Sequence, residues 1–373
     1  MEKHLHIVCF DVPYPPDYGG AFEMFYKIKA LHDEGVHIHL HCFDYGRGHQ
    51  DKMKNWCHEI YYYERTEGHK GFSFRLPYIV TSRANKQLLE NLQKDDYPIL
   101  LEGIHCSYFL YGNDLANRKI LLRLHNAEHL YYKQLSHYSR SLVKKIYYYH
   151  ESHLLKRYEK EIASKCLVLP LTETEVNHYR EEFHAKQVVY LPAFIGWDIP
   201  LCREGAGTFC LYHGNLSVPE NEKAAIWLLE NVFDELEIPF VIAGKKPSAR
   251  LNQLAHRKKH TCLVANPSEK EMQDLIQKAH INILPAFSDT GIKFKLLNSV
   301  FCGRHCVVND TMVKGTYLDP ACHIAGNAEG FKSILVQLYH KPFHEEEIQL
   351  RNGLLQHYYN NKVNAKRLIQ WIW

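Results

Sequence analysis

Between Ile281 and Val308 the chain reads INILPAFSDTGIKFKLLNSVFCGRHCVV: an apolar strand, a polar loop with Gly291, an amphipathic helix stopped at Gly303, and a second strand. Ser288, Asp289 and Thr290 are helix-capping residue types, and Lys293 and Lys295 follow at once. A helix N-terminus carries partial positive charge, so lysines in its first turn oppose the dipole. An anion at that end reconciles them. The stretch Thr290, Gly291, Ile292, Lys293 and Lys295 therefore reads as a diphosphate cradle, with a solvated basic helix start as the plainer alternative.

Other chemistry-bearing residues stand at strand ends. Gly19 and Gly20 close a Pro/Gly loop between a strand and a helix, where the backbone can approach a phosphate or an acceptor. His125 ends the apolar run KILLRL, where open α/β sheets bind ligands. Glu128, three residues on, is either a general base or the first-turn acid of the next helix. Glu102 and His105 follow another short strand and suit the mouth of a binding site on the acceptor side, or a plain loop surface. Gly214 and Asn215 open a loop after a strand, and Lys245 sits beside Gly244 at the end of another.

These residues need a scaffold of alternating strands and helices. His4–Phe10, Val36–Phe43, Ile60–Tyr63, Ile99–Leu101, Lys119–Leu124, Cys166–Leu171 and Val188–Leu191 read as strands, with helical spacing over Ala21–Glu34 and Arg140–Ser164. The stretch from Pro192 to Gly207 holds prolines and glycines without periodicity and reads as a boundary. The βα rhythm resumes at Thr208 and ends in helices finishing Trp371-Ile372-Trp373. The expected fold class is α/β: two Rossmann-like domains facing across a cleft. Residues 1–192 form the N-terminal Rossmann-like domain, 193–207 the linker, 208–355 the C-terminal Rossmann-like domain, and 356–373 a C-terminal helix packing across domains.

With 373 residues, two domains are expected, and 46% hydrophobic residues suffice for two cores. A net charge of +3 excludes a dedicated nucleic-acid binder. The 26 histidines are scattered, and no His-x-x-x-His pair sits with a third ligand in an evident metal pattern. Eleven cysteines, an odd number without framework spacing, point to a reducing cytosol. The N-terminus lacks the apolar core of a signal peptide, and no run approaches a membrane span. Lys144–Lys160 is basic and aromatic, as an interfacial helix would be. Glu151, Glu159 and Glu161 interrupt it, which favours an ordinary helix with a Tyr/Leu core face.

Four segments together resemble the two-Rossmann-domain (GT-B) glycosyltransferases, and within them the retaining family-4 group. They are Asp17-Tyr18-Gly19-Gly20; His125; Gly214-Asn215-Leu216 with Val241-Ile242-Ala243-Gly244-Lys245; and Thr290 to Gly303. The resemblance covers nearly the whole chain in the family's order. Two family glutamates fall here at Thr290 and Asn298, so both carboxylates are missing. The resemblance implies that Asn298 meets the nucleotide ribose, since an amide both donates and accepts. It implies that Thr290, helped by Asp289, binds the sugar differently, and it places His125 near the transferred sugar. The family's Arg after the opening glycine is Asn215, which leaves Lys293 and Lys295 to meet the phosphate charge.

The implied activity is transfer of a sugar from a nucleotide-sugar donor to a hydroxyl of a glycan, lipid-linked or polysaccharide-precursor acceptor, with retention. No Asp-x-Asp pair is present, so metal independence and no cofactor beyond the donor are expected. The expected location is the cytoplasm, at the inner face of a membrane where peripheral contact is made. Two other readings use the same residues: a nucleotide-sugar epimerase of this fold, and a non-catalytic nucleotide- or glycan-binding protein that lost the glutamate pair.

Overall fold

The computed structural model describes residues 2–71, 73–139, 141–288 and 290–373. The expectations for Asp289, and for a helix starting at Arg140, fall outside the described residues. Two compact units emerge: residues 1–196 with 290–292 and 359–373, and residues 197–289 with 293–358.

The first unit is built on β1 (Lys3–Cys9), β2 (Val36–Asp44), β3 (Glu59–Glu64), β4 (Ile99–Glu102), β5 (Ile120–Arg123) and β6 (Leu167–Leu169). They form one parallel sheet in the order β3-β2-β1-β4-β5-β6. Parallel neighbours cannot be joined by a tight turn, so helical crossovers cover both faces. That is why β4 and β5 read as unbroken apolar runs rather than alternating ones. The expected strand Val188–Leu191 is reduced to a single bridge between Val188 and Val168. Pro170 explains this: it follows β6 without an N–H, so it accepts from Leu191 N–H at 3.2 Å but returns no bond.

The second unit holds β7 (Cys210–Asn215), β8 (Phe240–Lys245), β9 (Thr261–Ala265), β10 (Ile281–Leu284), β11 (His305–Val308) and β12 (His323–Ile324). They too are parallel, in the order β12-β11-β10-β7-β8-β9. Both sheets reverse direction of growth beside their first strand, the doubly wound pattern. The two six-stranded α/β sheets are the fold class read from the sequence.

The chain's last helix, Asn361–Ile372, belongs to the first unit. Ala365, Leu368, Ile369 and Ile372 join Leu5, Met24, Ile28 and Leu31 in one core. Asn361 fastens its start, donating to Ile195 O at 2.6 Å and accepting from Ile195 N at 3.0 Å. Among the described residues no helix is long and apolar enough to cross a membrane.

Candidate functional site

In the second unit the helix Phe294–Cys302 begins one residue after Lys293, which occupies the N-cap in an extended conformation and gives no side-chain cap. Ser288 and Thr290 therefore do not cap this helix, against expectation; both are buried in the loop before it. Lys295 lies in the first turn. Its ammonium donates to Asn221 Oδ1 at 2.9 Å and Tyr212 Oη at 3.3 Å, and sits 4.9 Å over the Tyr212 ring. Among the described residues no carboxylate forms an ion pair with it. Burial pushes its pKa down to about 8, Glu220 pulls it back up, and Lys293 pushes it further down. Lys295 is thus a cation held in a desolvated place by neutral groups, the condition in which an incoming anion gains most.

Asn298, one helical turn on from Lys295, keeps a buried Oδ1 without a hydrogen-bond partner. On the same side of the sheet, His213 lies buried 2.9 Å from Ser299 Oγ. Burial and then Lys295 hold its pKa near 3, so it is neutral. Gly214 and Gly244 face each other in register on β7 and β8, as do Asn215 and Lys245. A side chain at Gly244 would collide with the Gly214 carbonyl oxygen, so sheet packing alone requires this glycine. The Asn215 side chain closes its own turn, accepting from Ser217 N at 3.1 Å and Ser217 Oγ at 2.8 Å. Lys245 is exposed.

Thr290, Gly291 and Ile292 group with the first unit, apart from the two lysines. Gly291 takes a positive φ of 62°, and a Cβ there would press on the His125 carbonyl oxygen and the Asn126 side chain. Its N–H donates to Glu175 Oε1 at 3.2 Å, an oxygen that also accepts from Ala127 N.

His125 lies nearly buried after β5, its Nε2 2.9 Å from Glu102 Oε2 and its ring met edge-on by Phe10. Behind it is a closed ionic cluster. Lys27 Nζ is 2.7 Å from both Glu23 and Glu102, and Arg123 Nη2 is 2.7 Å from Glu23. All four are fully buried. Burial alone would raise the Glu23 carboxyl, but Arg123, Lys27 and His125 outweigh it and hold it at about 2. Two carboxylates are thus matched by two permanent cations, and Glu102 orients the His125 ring. Glu102, expected to meet an acceptor, has no exposed surface, and its side chain meets His125 and Lys27 instead. His105 folds back over Gly103 and packs at a tilt on Phe10, ring centroids 5.0 Å apart; burial, then Arg83 and His125, keep its ring neutral.

Glu128 begins the helix Glu128–Tyr138. Burial raises its pKa to about 8, Glu159 and Glu175 push it further up, and a hydrogen bond from Asn126 opposes them. At neutral pH it holds its proton, which suits a donor and disfavours the general-base reading. Gly20, in the first turn of the helix Gly19–Asp33, packs against the Phe10 and Tyr18 rings: a Cβ would come within 2.9 Å of either.

The sequence reading missed Glu23, Lys27, Arg123, Tyr212, Asn221 and Glu175. A signal existed for three of them: Glu23 and Lys27 are four apart inside a helix's apolar stripe, and Arg123 ends the apolar run ILLR. Charges in such places are paired with one another or absent. Tyr212 and Asn221 meet Lys295 only through folding, and their spacing announces nothing.

Residues 207–341 match the family model of Glycosyl transferases group 1. A Klebsiella pneumoniae protein described as an uncharacterized 44.6 kDa protein in the cps region is 26% identical over 324 residues, covering 79% of each chain. Among solved structures, the sucrose-phosphate synthase of Thermosynechococcus elongatus superposes with a TM-score of 0.74 at 12% identity, over 99% of this chain and 98% of that one. TarM gives 0.71 at 11%, over 100% and 99%. Anabaena HepE, solved with UDP and glucose, gives 0.65 at 10%, over 99% of each. At these identities the likeness shows the fold, which is GT-B.

Proposed function

We propose that this chain, with its GT-B fold and a segment at residues 207–341 that matches glycosyl transferases group 1, transfers a sugar from a nucleoside-diphosphate sugar to a hydroxyl acceptor, with retention at the anomeric carbon. The observation that carries it is Lys295, a half-buried cation that pairs with no carboxylate among the described residues, beside Asn298 with its unpartnered Oδ1. A diphosphate would supply the missing negative charge, and a ribose hydroxyl the missing donor. Lys293 and Lys295 would stabilise the charge that develops on the leaving diphosphate, the electrostatic work that dominates such transfers. These two cations make a metal unnecessary in this proposal. In the first unit, His125 held by Glu102 would face the acceptor side, and protonated Glu128 is a second polar group there.

We assign the acceptor to a membrane-held class. Leu142, Val143 and Ile146, at the start of the helix Leu142–Ala163, are 76%, 78% and 71% exposed, with Lys144 and Lys145 among them. The expected core face exists only further along, at Leu154, Leu155, Tyr158 and Ile162. Apolar residues flanked by lysines suit an anionic lipid surface. Cosedimentation with anionic vesicles, and its loss in Ile146→Glu, tests this part; undiminished binding by the variant sinks it.

The first experiment is a thermal-shift panel with UDP, GDP, ADP, CDP and CMP, with and without magnesium, on the native chain and Lys295→Ala. A ligand at about a hundred times its Kd stabilises by roughly 2.7 kcal/mol. A shift with one nucleotide, lost in the variant, supports the reading and selects the sugars to try. No shift with any of them favours a non-catalytic binder. A sugar altered without an acceptor favours an epimerase.

A further inference from the structure

β11, β12 and the helix Glu345–Tyr358 gather His305, His323 and Glu347. Each offers one ligand atom within 4.8 Å of the other two. The His305 ring is fully buried and fixed from behind: Nε2 lies 2.9 Å from the Lys341 carbonyl oxygen, so that nitrogen carries the proton and donates it. Nδ1 is then a bare acceptor. It has no hydrogen-bond partner and points at Glu347 Oε1, 3.4 Å away. The other carboxylate oxygen, Oε2, accepts from His344 N at 3.1 Å, so Glu347 is also aimed from outside.

Two acceptors facing each other with no proton between them repel. A metal cation between the bare Nδ1 and Glu347 Oε1 relieves this. We propose that His305, His323 and Glu347 bind one divalent ion of the zinc class, tying β11 and β12 to the start of the helix Glu345–Tyr358.

The donor set fits. Two imidazoles and a carboxylate are a recognised zinc combination, leaving a fourth position for water. A backbone carbonyl behind one imidazole is the usual outer support. Glu347 is 28% exposed, which gives the ion a way in. Lys341 and Arg351 are the cations near His323, and Arg351 is committed to the carbonyls of Val300, Gly303 and Arg304. The other cluster of similar composition, Glu23, Glu102 and His125, already holds Lys27 and Arg123 and has no charge left for a metal. This inference does not depend on the proposed sugar transfer.

The test uses the full chain without a histidine tag, stripped with EDTA and titrated with zinc against a chromophoric chelator, alongside melting curves and circular dichroism. The expected result is a single zinc ion per chain and a rise in Tm. Glu347→Gln and His323→Gln, both at partly exposed side chains, should stay folded, bind more than roughly tenfold weaker and lose the Tm rise. His256→Gln, on an exposed helix face, should change neither. The proposal is overturned if the folded native chain binds no stoichiometric zinc. It is equally overturned if both variants bind it undiminished, since other histidines then hold the ion.

Discussion

Lys295 is placed against its own interest. Its folded pKa of about 8 lies below the ordinary value of 10.5, so the folded chain binds fewer protons there than the unfolded one. The charge therefore opposes folding below pH 8, and the penalty fades as pH rises from about 8 to 10.5. Lys295→Met should stabilise the protein at pH 7 by ~1–3 kcal/mol while removing nucleotide binding. In the native chain, affinity for a nucleoside diphosphate should fall as pH rises through 8. Urea unfolding and a pH series of binding isotherms check both; a variant that is less stable at pH 7 refutes the account of a strained cation. Glu128 behaves in the opposite sense. Its folded pKa of about 8 exceeds the ordinary 4.5, so its contribution is complete below pH 4.5 and is lost as pH rises toward 8. Glu128→Gln should remove that decline, gaining on the order of 2–4 kcal/mol at pH 8 relative to pH 5. If native chain and variant keep the same stability difference between these two pH values, Glu128 is not the group responsible. Lys295 was legible in the sequence because a lysine in a helix's first turn contradicts the helix dipole. Its partners were not, since Tyr212 and Asn221 come from a strand and a helix more than seventy residues upstream in the chain.

At the scale of elements, the helix Gly19–Asp33 is joined to β4 and β5 by charge as well as by apolar packing. Lys27 and Glu23 reach from the helix to Glu102 and Arg123 at the strand ends, and Arg123 also donates to Leu191 O at 2.5 Å and Pro192 O at 3.0 Å. Removing one member strands the others in a dry interior. Glu23→Ala should cost ~3–5 kcal/mol in chemical denaturation, because Arg123 and Lys27 lose their shared carboxylate. It should also disturb the Glu102–His125 contact, so its effect on activity should exceed that of an exposed charge change such as Glu90→Ala. A loss below ~1 kcal/mol would mean that water enters and solvates the cations. The strands themselves were plain in the sequence, since buried parallel strands are apolar runs bounded by Gly and Pro. What could not be read was where pairing stops. Val188–Leu191 has a strand's composition, but Pro170 on its neighbour decides the matter, and composition within one segment does not report on the next.

At the scale of the whole molecule, the chain closes its first unit with its last residues. Residues 359–373 return to a core begun by Leu5, and 290–292 group there as well, so this unit is not a continuous stretch of sequence. Periodicity marked the terminal helix, whose Ile372 is buried while Trp373 stays half exposed. Which core it enters depends on contacts across more than three hundred residues, which no local pattern encodes. Deleting 361–373 removes Leu368, Ile369 and Ile372 from that core. Each buried aliphatic side chain contributes about 1.5–3 kcal/mol, so the first unit should lose on the order of 5 kcal/mol. The exposed faces of Leu5, Ile28 and Leu31 would then open locally. Hydrogen exchange should show lost protection in β1 and in the helix Gly19–Asp33. In the second unit, β7 and β10 should keep theirs, and Lys295 should still respond to nucleotide. Equal loss of protection in β7 and β10 would mean that the two units do not unfold separately, and that the terminal helix stabilises the chain as one cooperative body.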